Sequence, residues 1–237
     1  MDPTRRAIRS GALALALWAS AHAMAHAQAA SFSLPQVLGF THPVSLVRSP
    51  QGQRIGWVMV LRGERSLWVA DGPEFQPRRL VAYGDDGQEL TNLAFSGDGS
   101  HLVYVRGGNH AANAPAAFNL MPNPTSSPVQ PRMQVWSVAV SGGAPVLLGD
   151  GDEPAPSPTG QRVVFRRDRE LWVAPVDGSQ PATRLFFARG TSQSPAWSPD
   201  GRTLAFVSNR GDYAYIALYT SDDQAIRYLA PSTSQDS

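Results

Sequence analysis

Cysteine and lysine are both missing from this 237-residue chain. Without a thiol, neither a disulfide nor a thiolate metal site can form, so stability must come from packing in any redox compartment. Without lysine, all 20 basic residues are arginine, and they are scattered along the chain instead of gathered into a patch. Against 19 acidic residues they leave a formal net charge of +1, which gives no broad pull toward nucleic acid or an anionic membrane. Long apolar runs are lacking too: the run near the N-terminus is about 10 residues, half of what a helix needs to span a bilayer. No Gly-x-Ser-x-Gly occurs, and Gly190-Thr191-Ser192-Gln193-Ser194, the nearest approach, ends on serine. The nucleophile elbow of an α/β-hydrolase is therefore not among these residues. With no clustered metal ligands and no phosphate-cradling glycine loop in the sequence, neither a metal nor an organic cofactor is expected.

What the chain does contain is a phrase repeated four times. Ser49-Pro50-Gln51-Gly52, Ser96-Gly97-Asp98-Gly99, Ser157-Pro158-Thr159-Gly160 and Ser198-Pro199-Asp200-Gly201 each precede an alternating apolar segment, at Ile55–Val58, Leu102–Val105, Val163–Arg166 and Leu204–Val207. A second segment follows each, around Trp68, Trp136, Trp172 and Tyr219. A third ends the unit, at Arg79-Leu80-Val81, Val146-Leu147-Leu148, Arg184-Leu185-Phe186 and Arg227-Tyr228-Leu229. A fourth short strand comes before the serine, clearest in Leu93-Ala94-Phe95 and Pro195-Ala196-Trp197. Four short strands of period two, separated by turn residues and recurring along the chain, predict one antiparallel blade per unit of an all-β propeller.

The turn residues have a physical role in this scheme. Proline fixes φ at the first central position, aspartate caps its own backbone, and glycine takes the positive φ that a side chain would disfavour. Asp98 and Asp200 are accordingly expected to stabilise turns and not to act as ligands or catalytic groups. Trp57, Trp68, Trp136, Trp172 and Trp197 recur at equivalent strand positions and are expected between blades, each contributing roughly 2–3 kcal/mol if fully buried.

Residues 1–27 have a different character. Arg5, Arg6 and Arg9 precede the apolar stretch Gly11 to Ala21, and Ala25-His26-Ala27 offers a small-x-small cleavage site. The expected organisation is a cleavable signal peptide (1–27), a lead-in (28–41) and a partial propeller (42–237). Its blades lie at about 42–90, 91–152 with an insertion at 107–132, 153–193 and 194–237. A periplasmic or secreted location follows from the leader, with no membrane span. The Arg5-Arg6 pair is compatible with either general or twin-arginine export.

The segment Trp197-Ser198-Pro199-Asp200-Gly201-Arg202-Thr203-Leu204-Ala205-Phe206-Val207-Ser208-Asn209-Arg210-Gly211-Asp212 resembles a blade motif shared by two groups. One is the propeller of the prolyl oligopeptidase family, in its dipeptidyl-peptidase and acylaminoacyl-peptidase branches; the other is the TolB-like periplasmic propellers. Asp86–Leu90, Tyr104–Gly108 and Arg184–Gly190 resemble the exported bacterial peptidases of the first group more closely. That resemblance implies a non-catalytic propeller that gates or orients peptide substrates for a C-terminal α/β-hydrolase domain outside these residues. It implies no catalytic residue here, seven or eight blades in relatives against about four in this chain, and hence an incomplete, open propeller. The expected partners are the peptide substrate and a complementary C-terminal chain. The alternatives are a TolB-like protein-binding propeller and a sugar-binding or lyase propeller. In related peptidases, insertions between blade strands help hold the substrate. Asn109, His110, Asn113, Phe118 and Asn119 in the 107–132 insertion are therefore substrate-contact candidates, weighed against a surface loop without contact. The insertion contains no Asp or Glu, so the paired acids that anchor a peptide amine in those relatives have no counterpart in it.

Overall fold

The computed structural model describes residues 33–84, 86, 88–107 and 132–229. The described residues fall into two units, divided after Gly39. In the first, the five-residue helix α1 (Leu34–Leu38) begins at Ser33, whose backbone N–H and Oγ both donate to Gln36 Oε1 at 2.9 and 3.0 Å.

The second unit is built of four sheets. They comprise β1 (His42–Arg48), β2 (Arg54–Leu61), β3 (Glu64–Asp71) and β4 (Gln76–Tyr83); β5 (Leu90–Phe95), β6 (His101–Arg106), β7 (Gln134–Ala139) and β8 (Val146–Asp150); β9 (Asp152–Pro156), β10 (Arg162–Arg167), β11 (Glu170–Pro175) and β12 (Thr183–Arg184); and β13 (Thr191–Trp197), β14 (Thr203–Asn209), β15 (Ala214–Thr220) and β16 (Ile226–Tyr228). In each sheet, strands consecutive in sequence pair antiparallel, which makes four propeller blades. The first strands β1, β5, β9 and β13 touch one another in order and line the inner side of an arc. Blades one and four do not pack together, so the propeller is open.

Alternation along the strands decides which blade each side chain meets. Leu102 and Tyr104 of β6 join Val58, Leu67 and Val69 of the first blade in one core, while Val103 and Val105 join Val163 and Phe165 of the third blade in the next. Val164 and Leu171 then meet Leu204, Phe206, Ala217 and Tyr219 of the fourth blade. A middle blade is covered on both faces, which is why Leu102 to Val105 are all 0% exposed and read as an unbroken apolar run. β12 is shorter than its sequence suggests. The Leu185 amide still donates to the Leu171 carbonyl at 2.9 Å, after which the chain leaves the sheet; Leu185 and Phe186 pack on the third core, with the Phe186 ring 4.8 Å from Phe206 and 4.9 Å from Tyr219.

Tryptophan placement follows the same rule and corrects one expectation. Trp136, Trp172 and Trp197 flank the three inter-blade cores, and Trp197 donates its indole N–H to the Ala155 carbonyl of the preceding blade at 3.1 Å. Trp57 and Trp68 are not between blades. They are cross-strand partners, stacked 6.3 Å apart at 17°, on the face of the first blade opposite its core.

Each serine of the repeated phrase closes a β-hairpin turn from inside. The Ser49, Ser96, Ser157 and Ser198 amides donate to the carbonyl five residues on at 2.8–2.9 Å, and their carbonyls accept the glycine amide three residues on. Gly52, Gly99, Gly160 and Gly201 have φ between 69° and 77°. The Ser96 hydroxyl, 0% exposed, donates to Asp98 Oδ1 at 2.7 Å and accepts the His101 amide at 2.9 Å. Ser96→Ala removes that acceptor and leaves the amide short of a partner. A loss of about 1–3 kcal/mol is expected, read from the urea midpoint.

A second recurrent feature was not visible in the sequence. Ser45, Asn92, Glu153 and Ser194 each lie four residues before the repeated serine and adopt φ of 55°, 51°, 54° and 52°. They sit at bulges where the pairing of the innermost strand slips by register, between Val44 and Val47, Thr91 and Ala94, Asp152 and Ala155, and Gln193 and Ala196. None is glycine, so each pays a local conformational penalty that the surrounding ladder must overcome.

Candidate functional site

Of the sequence-derived candidates, Asn109, His110, Asn113, Phe118 and Asn119 all lie outside the described residues. The base of their insertion is described. β6 and β7 pair through Arg106 and Gln134, so the excursion leaves and re-enters the blade at one point.

A cleft of about 450 Å3 opens beside that point, where β8 of the second blade passes through Gly151 to β9 of the third. Its walls carry Arg132, Met133, Asp150, Asp152, Arg166, Arg167 and Asp168. Arg132, the last residue of the insertion, donates to Asp150 Oδ2 at 3.0 Å, and Gln134 Nε2 reaches Oδ1 at 3.1 Å. The Gln134 hydrogen bond, with the adjacent Arg132 guanidinium, holds the Asp150 carboxyl below the usual carboxylate range despite some desolvation. Arg167 lies over the Trp172 ring, 4.7 Å from its centroid.

The bulges place a polar chain along the inner wall, from this junction to the next one between the third and fourth blades. Asn92 Nδ2 donates to Asp152 Oδ1 at 2.8 Å, tying the second blade to the third. Arg166 Nε donates to Glu153 Oε1 at 2.8 Å, and the Ser194 amide of the fourth blade donates to Glu153 Oε2 at 2.6 Å. The left-handed backbone at Glu153 aims its carboxylate across the blade boundary. Three arginines and three aspartates thus line one small space. Such a site suits a polar, extended ligand with both hydrogen-bond donors and acceptors, such as a peptide main chain or its charged ends.

At the opposite end of the blades a second cleft, of about 370 Å3, lies between the first two turns, lined by Ser49, Gln51, Gln53, Arg54, Asp71, Asp98 and neighbouring glycines. Its polar groups are engaged in joining turn to turn: Gln51 donates to the Gly97 carbonyl at 3.0 Å and Arg54 to the Gly99 carbonyl at 2.8 Å. Asp98 accepts from Ser96 Oγ, from the Ser100 amide at 3.0 Å and from Ser100 Oγ at 2.8 Å; Asp200 accepts from Ser198 Oγ and the Arg202 amide. Both aspartates therefore serve their turns.

Desolvation pushes the Asp98 carboxyl upward, but the hydrogen bonds from Ser96 and Ser100 together outweigh it and hold the pKa below the ordinary value. Hydrogen bonding from Ser198 and the Arg202 amide lowers that of Asp200. A carboxyl whose folded pKa is depressed adds stability above its unfolded pKa, about 3.9, and loses it as pH falls through the folded value. Stability should therefore decline in acid, below about pH 4. Asp98→Asn should narrow the difference between urea midpoints measured at pH 7 and pH 3.

Among the described residues, no group of three or more His, Cys, Asp or Glu is arranged to hold a metal ion, and no helix is long and apolar enough to cross a membrane. His101 belongs to its turn, with Nδ1 2.8 Å from Ser100 Oγ.

No protein-family model matches the chain. An uncharacterized protein of Agrobacterium fabrum is 38% identical over 94 residues, 32% of each chain. The Tol-Pal system protein TolB of Thioalkalivibrio sulfidiphilus is 50% identical over 48 residues, covering 19% of this chain and 11% of TolB. The matches thus span a third or less of these curated relatives. Among solved structures, TolB from Acinetobacter baumannii superposes with a TM-score of 0.54 at 16% identity, over 81% of this chain and 44% of that one. A prolyl endopeptidase gives 0.58 at 15% identity, over 82% and 30%. An oligogalacturonate lyase from Vibrio parahaemolyticus gives 0.56 at 15% identity, over 79% and 52%. At these identities the likeness establishes the propeller fold, which all three proteins share, and does not choose among their activities.

Proposed function

We propose that this chain is the non-catalytic propeller of an exported serine peptidase of the prolyl oligopeptidase type, which holds extended peptides and orients them toward a hydrolase domain supplied by residues outside it. The observation that carries this reading is the cleft at the junction of the second and third blades. The Arg132–Asp150 pair, Arg166 and Asp152 stand there beside the base of the insertion bearing Asn109, His110, Asn113, Phe118 and Asn119. A guanidinium there can take a peptide carbonyl or terminal carboxylate, and the aspartates can take amide N–H groups or a terminal amine. In the same reading residues 1–27 are a cleaved leader, 28–41 a lead-in and 42–237 the propeller, and the compartment is the periplasm or the exterior.

Labelled oligopeptides titrated into the purified chain should bind saturably by fluorescence anisotropy. Arg132→Ala should weaken binding about tenfold or more, since a charge-assisted hydrogen bond contributes about 1.5–3 kcal/mol. Peptide binding that is absent, or indifferent to Arg132→Ala, would refute this assignment. A second reading, a TolB-like propeller that docks on folded envelope proteins, is favoured by the 48-residue match to TolB at 50% identity. It predicts capture of a folded protein partner and no affinity for short peptides.

A further inference from the structure

Of the three guanidinium groups lining the cleft between the second and third blades, two are matched to acids. Arg132 donates to Asp150 Oδ2 at 3.0 Å, and Arg166 donates to Glu153 Oε1 at 2.8 Å with Asp152 Oδ2 3.9 Å away. Arg167 is different: among the described residues its side chain has no ion pair and no hydrogen bond. The acid opposite it across the hairpin, Glu170, is drawn off by Arg184 at 3.0 Å. Arg167 rests instead on the Trp172 ring, 4.7 Å from its centroid, beside the core that the two blades share. A guanidinium held against an indole keeps its in-plane N–H donors for other partners. The next residue, Asp168, has φ of 55° in the two-residue turn that ends the hairpin, and its carbonyl accepts from Arg166 Nη1 at 3.2 Å. Its carboxylate also lacks a partner among the described residues and lines the same cleft. An unmatched cation and an unmatched anion therefore stand side by side there.

We infer that Arg167 is the carboxylate receptor of this cleft, and that the peptides held there are those with a carboxylate beside a main-chain N–H. This rests on the peptide-holding reading above and adds the charge of the ligand to it. The planar fork of a guanidinium matches the two oxygens of a carboxylate, and Asp168, one residue on, accepts the N–H next to them. A main-chain carbonyl offers no charge and would leave that of Arg167 unanswered. A phosphoryl group would bring its second negative charge against Asp150, Asp152 and Asp168, which line the same space. Arg132 and Arg166 have spare N–H donors for carbonyls, but their charges are already offset. The discrimination between charged and neutral peptides falls to Arg167. A free C-terminus and an acidic side chain both present the required group, a planar pair of oxygens a few bonds from an N–H.

Fluorescence anisotropy on the purified chain with three N-terminally labelled peptides of one sequence tests this. The first is neutral with an amidated C-terminus, the second has a free C-terminus, and the third is amidated with one internal glutamine replaced by glutamate. At least one carboxylate form should bind about tenfold or more tightly than the neutral peptide, and which one does so identifies the source of the group. In Arg167→Gln that ratio should fall to near one, whatever becomes of the overall affinity. In Arg167→Lys, which keeps the charge and gives up the fork, it should fall to an intermediate value. A ratio taken within one variant is insensitive to a general loss of folded protein, and the lysine variant decides the matter if the glutamine variant does not fold. Peptides that bind without regard to the carboxylate overturn the inference and leave the peptide-holding reading standing, as does a preference that survives unchanged in the Arg167 variants. Binding of none of the three peptides overturns both.

Discussion

Phe206→Ala is expected to lower the thermal midpoint by roughly 10 °C. The side chain is 1% exposed, at the centre of the junction between the third and fourth blades, with the Phe186 ring 4.8 Å away. Removing a buried phenyl loses its transfer free energy and leaves a cavity, together about 3–5 kcal/mol, against a total domain stability of about 5–15 kcal/mol. At about 2–4 °C per kcal/mol for a domain of this size, the shift is easily measured. Because blades contact only their neighbours, the loss should fall first on the fourth blade. Amide exchange in β14 and β15 should speed up while β6 and β7 stay protected. Phe187→Ala is the control. Phe187 is 75% exposed, and its loss should change stability by no more than about 0.5 kcal/mol.

Gly97→Ala should cost about as much for a different reason. In three of the four repeated turns the residue after the serine is proline, and only the second turn has glycine. The third blade explains this: its Ser157-Pro158 backbone lies directly against Gly97, and a Cβ there would collide with the Pro158 carbonyl. Neither group can yield easily, since both belong to hydrogen-bonded turns. A loss at or above the upper end of the usual overpacking range, about 1–3 kcal/mol, is expected. Substituting proline, the residue found in the other turns, should be worse still. Gly84→Ala meets nothing within 4 Å and should be neutral. A urea titration of the three variants separates steric contact from any general intolerance of substitution at glycine.

Much of this architecture was legible in the residues because the repeat is regular. Serine, turn, glycine and an alternating strand recur with the same offsets, and the strands fall where that pattern puts them. The carboxylates of Asp98 and Asp200 serve turns, as their context indicated. Other features depend on the neighbouring blade and have no local signature. Trp68 and Trp172 occupy the same strand of their blades, yet only Trp172 packs against a preceding blade among the described residues. The phenylalanine pair at 186 and 187 looks like the continuation of β12, but Phe186 gains more by burial against Phe206 and Tyr219 than by pairing. The left-handed bulges at Ser45, Asn92, Glu153 and Ser194 share a position and no chemical character, so only their offset from the serine could have revealed them. The charged cleft was missed because Arg132, Asp150, Asp152 and Arg166 come from two blades, and their meeting is a property of the junction.

The open arc of four blades is the claim on which the rest depends, and the absence of cysteine makes a clean test available. In a Trp57→Cys/Val207→Cys variant treated with a short bis-maleimide, the two thiols should never be bridged within one chain, because the first and fourth blades of a single molecule do not meet. Mass spectrometry of the denatured product should show only single-arm adducts or bridges between two chains. A bridge from residue 57 to residue 207 of the same chain would mean that four blades close on themselves, and would contradict the account.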